Sequence, residues 1–201
     1  ALAAIQLLET DPERGLDDAD GYRGWVQDLL DRTISELDGV HFDLPDKVKR
    51  VEALVPPRGG ALAPYYTPPT EDLARPGRVW FPTGDRASFP MWSEVTTVYH
   101  EGVPGHHFQV GTTAVLTDRL SRYQRKWAWS PAHGEGWALY AERLMGELGY
   151  LDNPDFYLGM LSAQALRCVR VIIDIGMHLE LAIPAAQAFH PGETWNAGLG
   201  L

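Results

Sequence analysis

Three of the chain's seven histidines fall within one short stretch, Tyr99-His100-Glu101-Gly102-Val103-Pro104-Gly105-His106-His107. Two imidazoles beside a carboxylate are the groups that zinc hydrolases use: the rings supply neutral nitrogen ligands, and the glutamate takes a proton from water held on the ion. Such enzymes commonly set the histidines four residues apart on a helix, so that both reach one metal. Here the spacing is wider. On a regular helix His106 lies about 240° round from His100, while His107 lies nearly on the same face but about 10 Å along the axis. Pro104 has no N–H to give to the carbonyl of His100, and Gly102 and Gly105 stand beside it, so the helix is expected to bulge or break there. A bulge that absorbs two residues returns His106 to the place of the second ligand, with His107 as its rival.

A catalytic zinc site needs a third protein ligand. The next polar cluster, His133-Gly134-Glu135-Gly136-Trp137, opens a helix, and its glycines let another helix or a metal come close to Glu135. Glu142, seven residues on, falls on the same face and is placed to hold a ligand from behind. Further along, Gln164, Arg167, Arg170, Asp174 and His178 form one polar stripe on a helix that is otherwise apolar. That stripe either pairs internally or lines a site, in which case His178 or an arginine would stabilise an oxyanion or grip a substrate carboxylate. Cys168, off the stripe, is expected in the core. Tyr65 and Tyr66 sit in a loop dense in proline and glycine and are further candidate donors.

The elements that must position these residues are mostly helical. Apolar residues recur at helical spacing from Asp18 to Leu37, with Gly39 as a stop, and helices are expected at about 113 to 126, 134 to 148 and 153 to 182, besides one carrying Trp92, Val95, Val98 and Tyr99. Lys47 to Val55 and Arg78 to Phe81, each closed by proline, predict two short strands. The expected fold class is α+β, predominantly α-helical: a helical, metallopeptidase-like domain with a small strand pair before the metal-binding helix. The chain reads as a single domain over 1–201, with 1–44 a helical lead-in and 45–201 the catalytic-type core. It begins with Ala1 already in a helical pattern, which is expected of a fragment of a longer protein.

Composition excludes other classes. With 17 basic and 27 acidic residues the formal charge is −10, and no basic stripe exists to neutralise a phosphate backbone, so nucleic acid is not an expected partner. A lone cysteine forms no internal disulfide and leaves the compartment open, cytoplasmic or exported. The run from Val169 to Leu181 is interrupted by Arg170, Asp174, His178 and Glu180, short of the about 20 apolar residues that cross a bilayer, so no membrane span is expected in this segment. Oligomeric state is open.

The His100-Glu101-Gly-Val-Pro-Gly-His106-His107 string, the His133-Gly-Glu135-Gly-Trp137 string, the run from Arg170 to His178, and Tyr65-Tyr66-x-Pro-Pro together resemble the bacterial domain of unknown function 885 family, from about residue 45 onward. The resemblance implies a metallopeptidase-like fold related to the glutamate-zincins, usually in proteins well over twice this length. It implies His100 and His106 as zinc ligands, Glu101 as general base and Glu135 as third ligand. The departure from the ordinary His-Glu-x-x-His pattern is a two-residue insertion; dipeptidyl peptidase III, with one inserted residue, is similar in this respect. The expected function is a zinc-dependent peptidase acting on a peptide substrate, with Zn2+ as cofactor, Tyr65, Tyr66 or His178 donating to the oxyanion, and the strand from Arg78 to Phe81 pairing with an extended peptide. The alternative is a noncatalytic domain that keeps the metal for folding or binds a ligand in its groove. An open coordination position separates the first from the second, whereas four protein ligands, His100, His106, His107 and Glu135, would mark the structural role.

Overall fold

The structure is a computed structural model that describes residues 2–187 and 189–199. It is α+β and dominated by helices, and it divides into two compact units, Ala1–Met160 and Leu161–Leu201.

In the first unit a short helix, α1 (Leu2–Thr10), precedes the long α2 (Ala19–Leu37). Asp18 caps α2 by accepting a hydrogen bond from the Gly21 amide at 2.7 Å, and Gly39, at φ 73°, turns the chain away after its end. The apolar face foreseen from its periodicity is buried: Tyr22, Val26, Leu29, Leu30, Ile34 and Leu37 pack with Val51, Ala53, Val79, Phe81, Val95 and Val98 in one core. Tyr22 also donates to Glu94 Oε2 at 2.8 Å, which ties α2 to the start of the helix that carries His100.

The sheet differs from the expected strand pair. It has three strands, β2 (Val51–Leu54), β3 (Tyr65–Thr67) and β4 (Gly77–Trp80), in the order β2-β4-β3, with β2 parallel and β3 antiparallel to β4. Tyr65 and Tyr66 therefore belong to a strand and not to the loop in which the prolines placed them. Two-residue strands β1 (Gly15–Leu16) and β5 (Phe89–Pro90) form a separate antiparallel pair. Because β4 is central, paired on both sides, it has no free edge for an added peptide, and the expectation that Arg78 to Phe81 receives one is corrected. The outer edge of β2 is also taken: the Gln27 side chain donates to Val51 O at 3.0 Å and accepts from Ala53 N at 2.8 Å. That leaves the outer edge of β3. Phe81 N bonds Leu54 O on the β2 side, so by strand alternation Trp80 and Arg78 bond Tyr65 and Thr67, and the Tyr66 N–H and C=O point outward.

The helix after β5 is interrupted as the proline and glycines required. α3 (Glu94–Glu101) stops after Glu101, and α4 (His106–Val115) begins at His106. Between them Gly105 N bonds Tyr99 O and His107 N bonds Gly102 O, reaching back six and five residues in place of four. A Cβ on Gly105 would collide with the carbonyl oxygens of His100 and Tyr99. The single helix expected over 113 to 126 is instead the end of α4 and a separate α5 (Arg122–Lys126), begun by a Ser121/Gln124 capping box. α6 (Pro131–Glu147) starts with proline in its first turn and packs on α3, with its Ala138, Ala141 and Met145 fully buried.

The last helix, α7 (Pro154–His178), begins in the first unit and runs into the second. Counted from Pro154 it is long and apolar enough to cross a membrane by length and composition, which the run from Val169 alone does not register. Its apolar side was expected to be buried; instead Leu166, Val169, Val171, Ile172 and Ile175 are exposed, and so is Cys168. In the second unit the chain after α7 returns through a bridge between Ala182 and Thr194, with Ile183 buried and Phe189 stacked on Trp195 at 5.8 Å.

Candidate metal centre

The break between α3 and α4 brings the His100 and His106 rings together, 4.8 Å apart and nearly perpendicular, at 88°. Their Nε2 atoms face one carboxylate from α6: His100 Nε2 lies 3.4 Å from Glu135 Oε2, and His106 Nε2 lies 3.6 Å from Glu135 Oε1. Three ligands held about 2.0–2.1 Å from a tetrahedral zinc stand about 3.3 Å from one another, so these separations fit an ion between them. They are too long for good hydrogen bonds. Glu101 joins the cluster, since His100, Glu101 and His106, all buried, offer ligand atoms within 4.8 Å of one another. Glu135 is the exposed member, its side chain 56% accessible, which leaves one side of the centre open to solvent.

The His100 ring is held by what lies behind it. His100 Nδ1 donates to Glu142 Oε1 at 2.7 Å, and Thr96, one turn earlier on α3, donates to Glu142 Oε2 at 2.7 Å. Glu142 is completely buried. His100 Nδ1 is thus committed to Glu142, and Nε2 is the ring nitrogen that faces Glu135. Burial and the neighbouring His100 hold the His106 pKa below the usual imidazole range. The His106 Nδ1 is buried with no hydrogen-bond partner among the described residues. Two imidazoles and a carboxylate, facing one another, are a donor set for a cation of the zinc type.

His107 is drawn away from the cluster. Its Nε2 donates to the Val48 carbonyl at 2.7 Å, and its Nδ1 accepts from the Tyr66 hydroxyl at 3.0 Å. Burial lowers its pKa to about 4 and raises that of Tyr66. Gly77 on β4 makes room for this contact, because a Cβ there would strike both Tyr66 Oη and the His107 ring. Both ring nitrogens of His107 are thus engaged away from the His100 and His106 cluster. Tyr65 stacks on Trp80 at 5.7 Å.

The remaining expected residues lie in the second unit. Arg170, Asp174 and His178 are exposed on α7, where His178 Nδ1 donates to the Asp174 carbonyl at 2.8 Å, and Arg167 is half-buried. Two residues of the centre were missed by sequence reasoning. Thr96 carried one readable signal, its four-residue spacing before His100. Trp129, whose ring lies 6.0 Å from that of His106, sits between helices, where no periodicity marks it. Trp137, quoted for its motif, donates to the Pro104 carbonyl at 2.7 Å and so fastens α6 to the break.

No curated protein matches the chain. Among solved structures it is similar to the crystal structure of a candidate lipoprotein from Colwellia psychrerythraea, at 30% identity and a TM-score of 0.74, over 87% of this chain and 30% of that one. The chain thus spans less than a third of that protein's length. A family model matches residues 1–197, and the chain belongs to the bacterial proteins of unknown function DUF885.

Proposed function

We propose that the first unit is the centre of a zinc-dependent peptidase in which His100, His106 and Glu135 hold the ion and Glu101 is the general base. The observation that carries the proposal is the convergence of both Nε2 atoms on the Glu135 carboxylate at 3.4 and 3.6 Å, with buried Glu101 beside them. A bound divalent ion would lower the pKa of its water to about 7 and polarise the scissile carbonyl. Glu101 takes the proton of the attacking water and returns it to the leaving amine. Glu142 and Thr96 keep His100 in the tautomer that ligates.

The number of protein ligands favours catalysis over a purely structural ion. His107 is committed to Val48 and Tyr66, so with Glu101 acting as base three ligands remain and a fourth position stays open on the exposed side of Glu135. Tyr66 would have to release His107 to reach a substrate, so its hydroxyl serves here as an anchor. Its outward N–H and C=O, on the open edge of β3, suit an extended peptide added antiparallel to that strand.

The test is hydrolysis of a mixed peptide library by the full-length protein, with and without zinc, and by Glu101→Gln. Zinc-dependent cleavage lost in Glu101→Gln supports the proposal; cleavage retained by that variant removes Glu101 as base, and no cleavage by any zinc-loaded form favours the noncatalytic domain.

A further inference from the structure

We infer that Trp129 is the apolar wall of the site, taking an apolar side chain of the substrate that flanks the scissile bond; this rests on the peptidase reading above. The indole lies 6.0 Å from the His106 ring, tilted by 59°, and is 50% exposed. Tryptophan is on average among the well-buried residues, so an indole that touches a metal ligand and keeps half its surface open offers a binding face.

The seat of the ring is built into α6. A Cβ on Gly134 would collide with the indole at Cη2 and Cζ2, whereas a Cβ on Gly136 meets nothing within 4 Å. Glycine inside a helix is disfavoured relative to alanine, and at 134 the helix accepts that cost where it leaves room for Trp129. Glu135 is the next residue, so one turn of α6 carries both the carboxylate that faces the two imidazoles and the seat of the indole. A group bound to an ion held by His106 and Glu135 would therefore have the indole as a neighbour, 6.0 Å from the His106 ring. Aliphatic and aromatic side chains gain most from covering such a surface.

The test uses small chelators and needs no turnover. Acetohydroxamate reads the ion alone; 3-phenylpropanohydroxamate adds an apolar arm, and 6-aminohexanohydroxamate adds a cationic one. Calorimetry on the zinc-loaded full-length protein should find the phenyl compound at least tenfold tighter than acetohydroxamate. In Trp129→Ala, at matched zinc content, that ratio should fall to within about threefold of one, and Trp129→Phe should restore most of it. Gly134→Ala, which displaces the ring without removing it, should lower the ratio as well. An unchanged ratio in Trp129→Ala overturns the wall and leaves the metal centre standing. Preference for the aminohexyl compound overturns the apolar assignment. If acetohydroxamate does not bind the zinc-loaded protein, the metal centre itself falls, and the wall with it.

Discussion

Glu142 and Thr96 touch no substrate, yet they hold Nδ1 of His100 and turn Nε2 toward Glu135, and the consequence is measurable. Replacing Glu142 by alanine leaves the Nδ1 proton of His100 without its acceptor, and zinc affinity should fall about 10–100-fold, as for other partners that orient a ligating histidine; isothermal titration gives the number, and an unchanged affinity would remove Glu142 from the centre. Glu142 was legible in the sequence because seven residues separate it from Glu135, which is close to two helical turns. Thr96 offered only its spacing before His100, since a threonine on a helix shows its purpose only when the partner helix is known. His107 gives a prediction with a defined sign. Its pKa is about 4 in the folded chain and about 6.5 unfolded, so between these values the unfolded chain binds a proton that the folded one does not. Its contribution is complete above pH 6.5 and is lost as pH falls toward 4, on the order of 3 kcal/mol. His106, lowered too, acts in the same direction when no metal is bound. Urea unfolding of the chelator-treated protein at pH 7.5 and 4.5 should show this loss, and His107→Gln should flatten it; an equal slope in the variant would assign the pH dependence elsewhere.

The decisive feature among the elements is the break between α3 and α4, and it was readable because Pro104 and its glycines cannot continue the ladder. Gly105→Ala should therefore destabilise the chain and weaken zinc binding together, because the added methyl meets the His100 carbonyl and shifts the ligand behind it; parallel thermal melts and zinc titrations check the coupling. On α6 the two glycines flanking Glu135 separate cleanly. Gly136→Ala, in open space, should raise stability by about 0.5–1 kcal/mol, while Gly134→Ala should lower it despite the same gain in helix propensity. Denaturant midpoints for the pair decide the matter, and equal shifts would mean that the Trp129 seat is not as tight as the packing indicates. Strand order was beyond the sequence. Tyr65–Thr67 is three residues flanked by proline-rich chain, and its pairing with β4 spans a loop, so no local alternation announced it. For the same reason β4 read as an edge strand: a period of two reports which face is buried, never which strands stand on either side.

For the molecule as a whole, periodicity carried the α-dominated class, but it did not reveal the state of α7. Its pattern of Val, Ile and Leu reads as core wherever a partner surface exists, and periodicity carries no information about that partner. In the chain described, Leu166, Val171 and Ile172 are exposed at 62%, 57% and 60%, so apolar surface lies open on several sides of the helix. The 201-residue chain should bind an apolar fluorescent dye in its native state, and Ile172→Glu should reduce that signal; dye binding unchanged by the substitution would place the dye's site elsewhere. The function assigned to the molecule depends on which carboxylate holds the ion and which takes the proton, and zinc stoichiometry after equilibrium dialysis separates them. Glu101→Gln should retain about one zinc per chain while Glu135→Ala and His100→Ala retain little. Equal loss of zinc in Glu101→Gln and Glu135→Ala would contradict the division of roles, since Glu101 would then be a ligand and not the base.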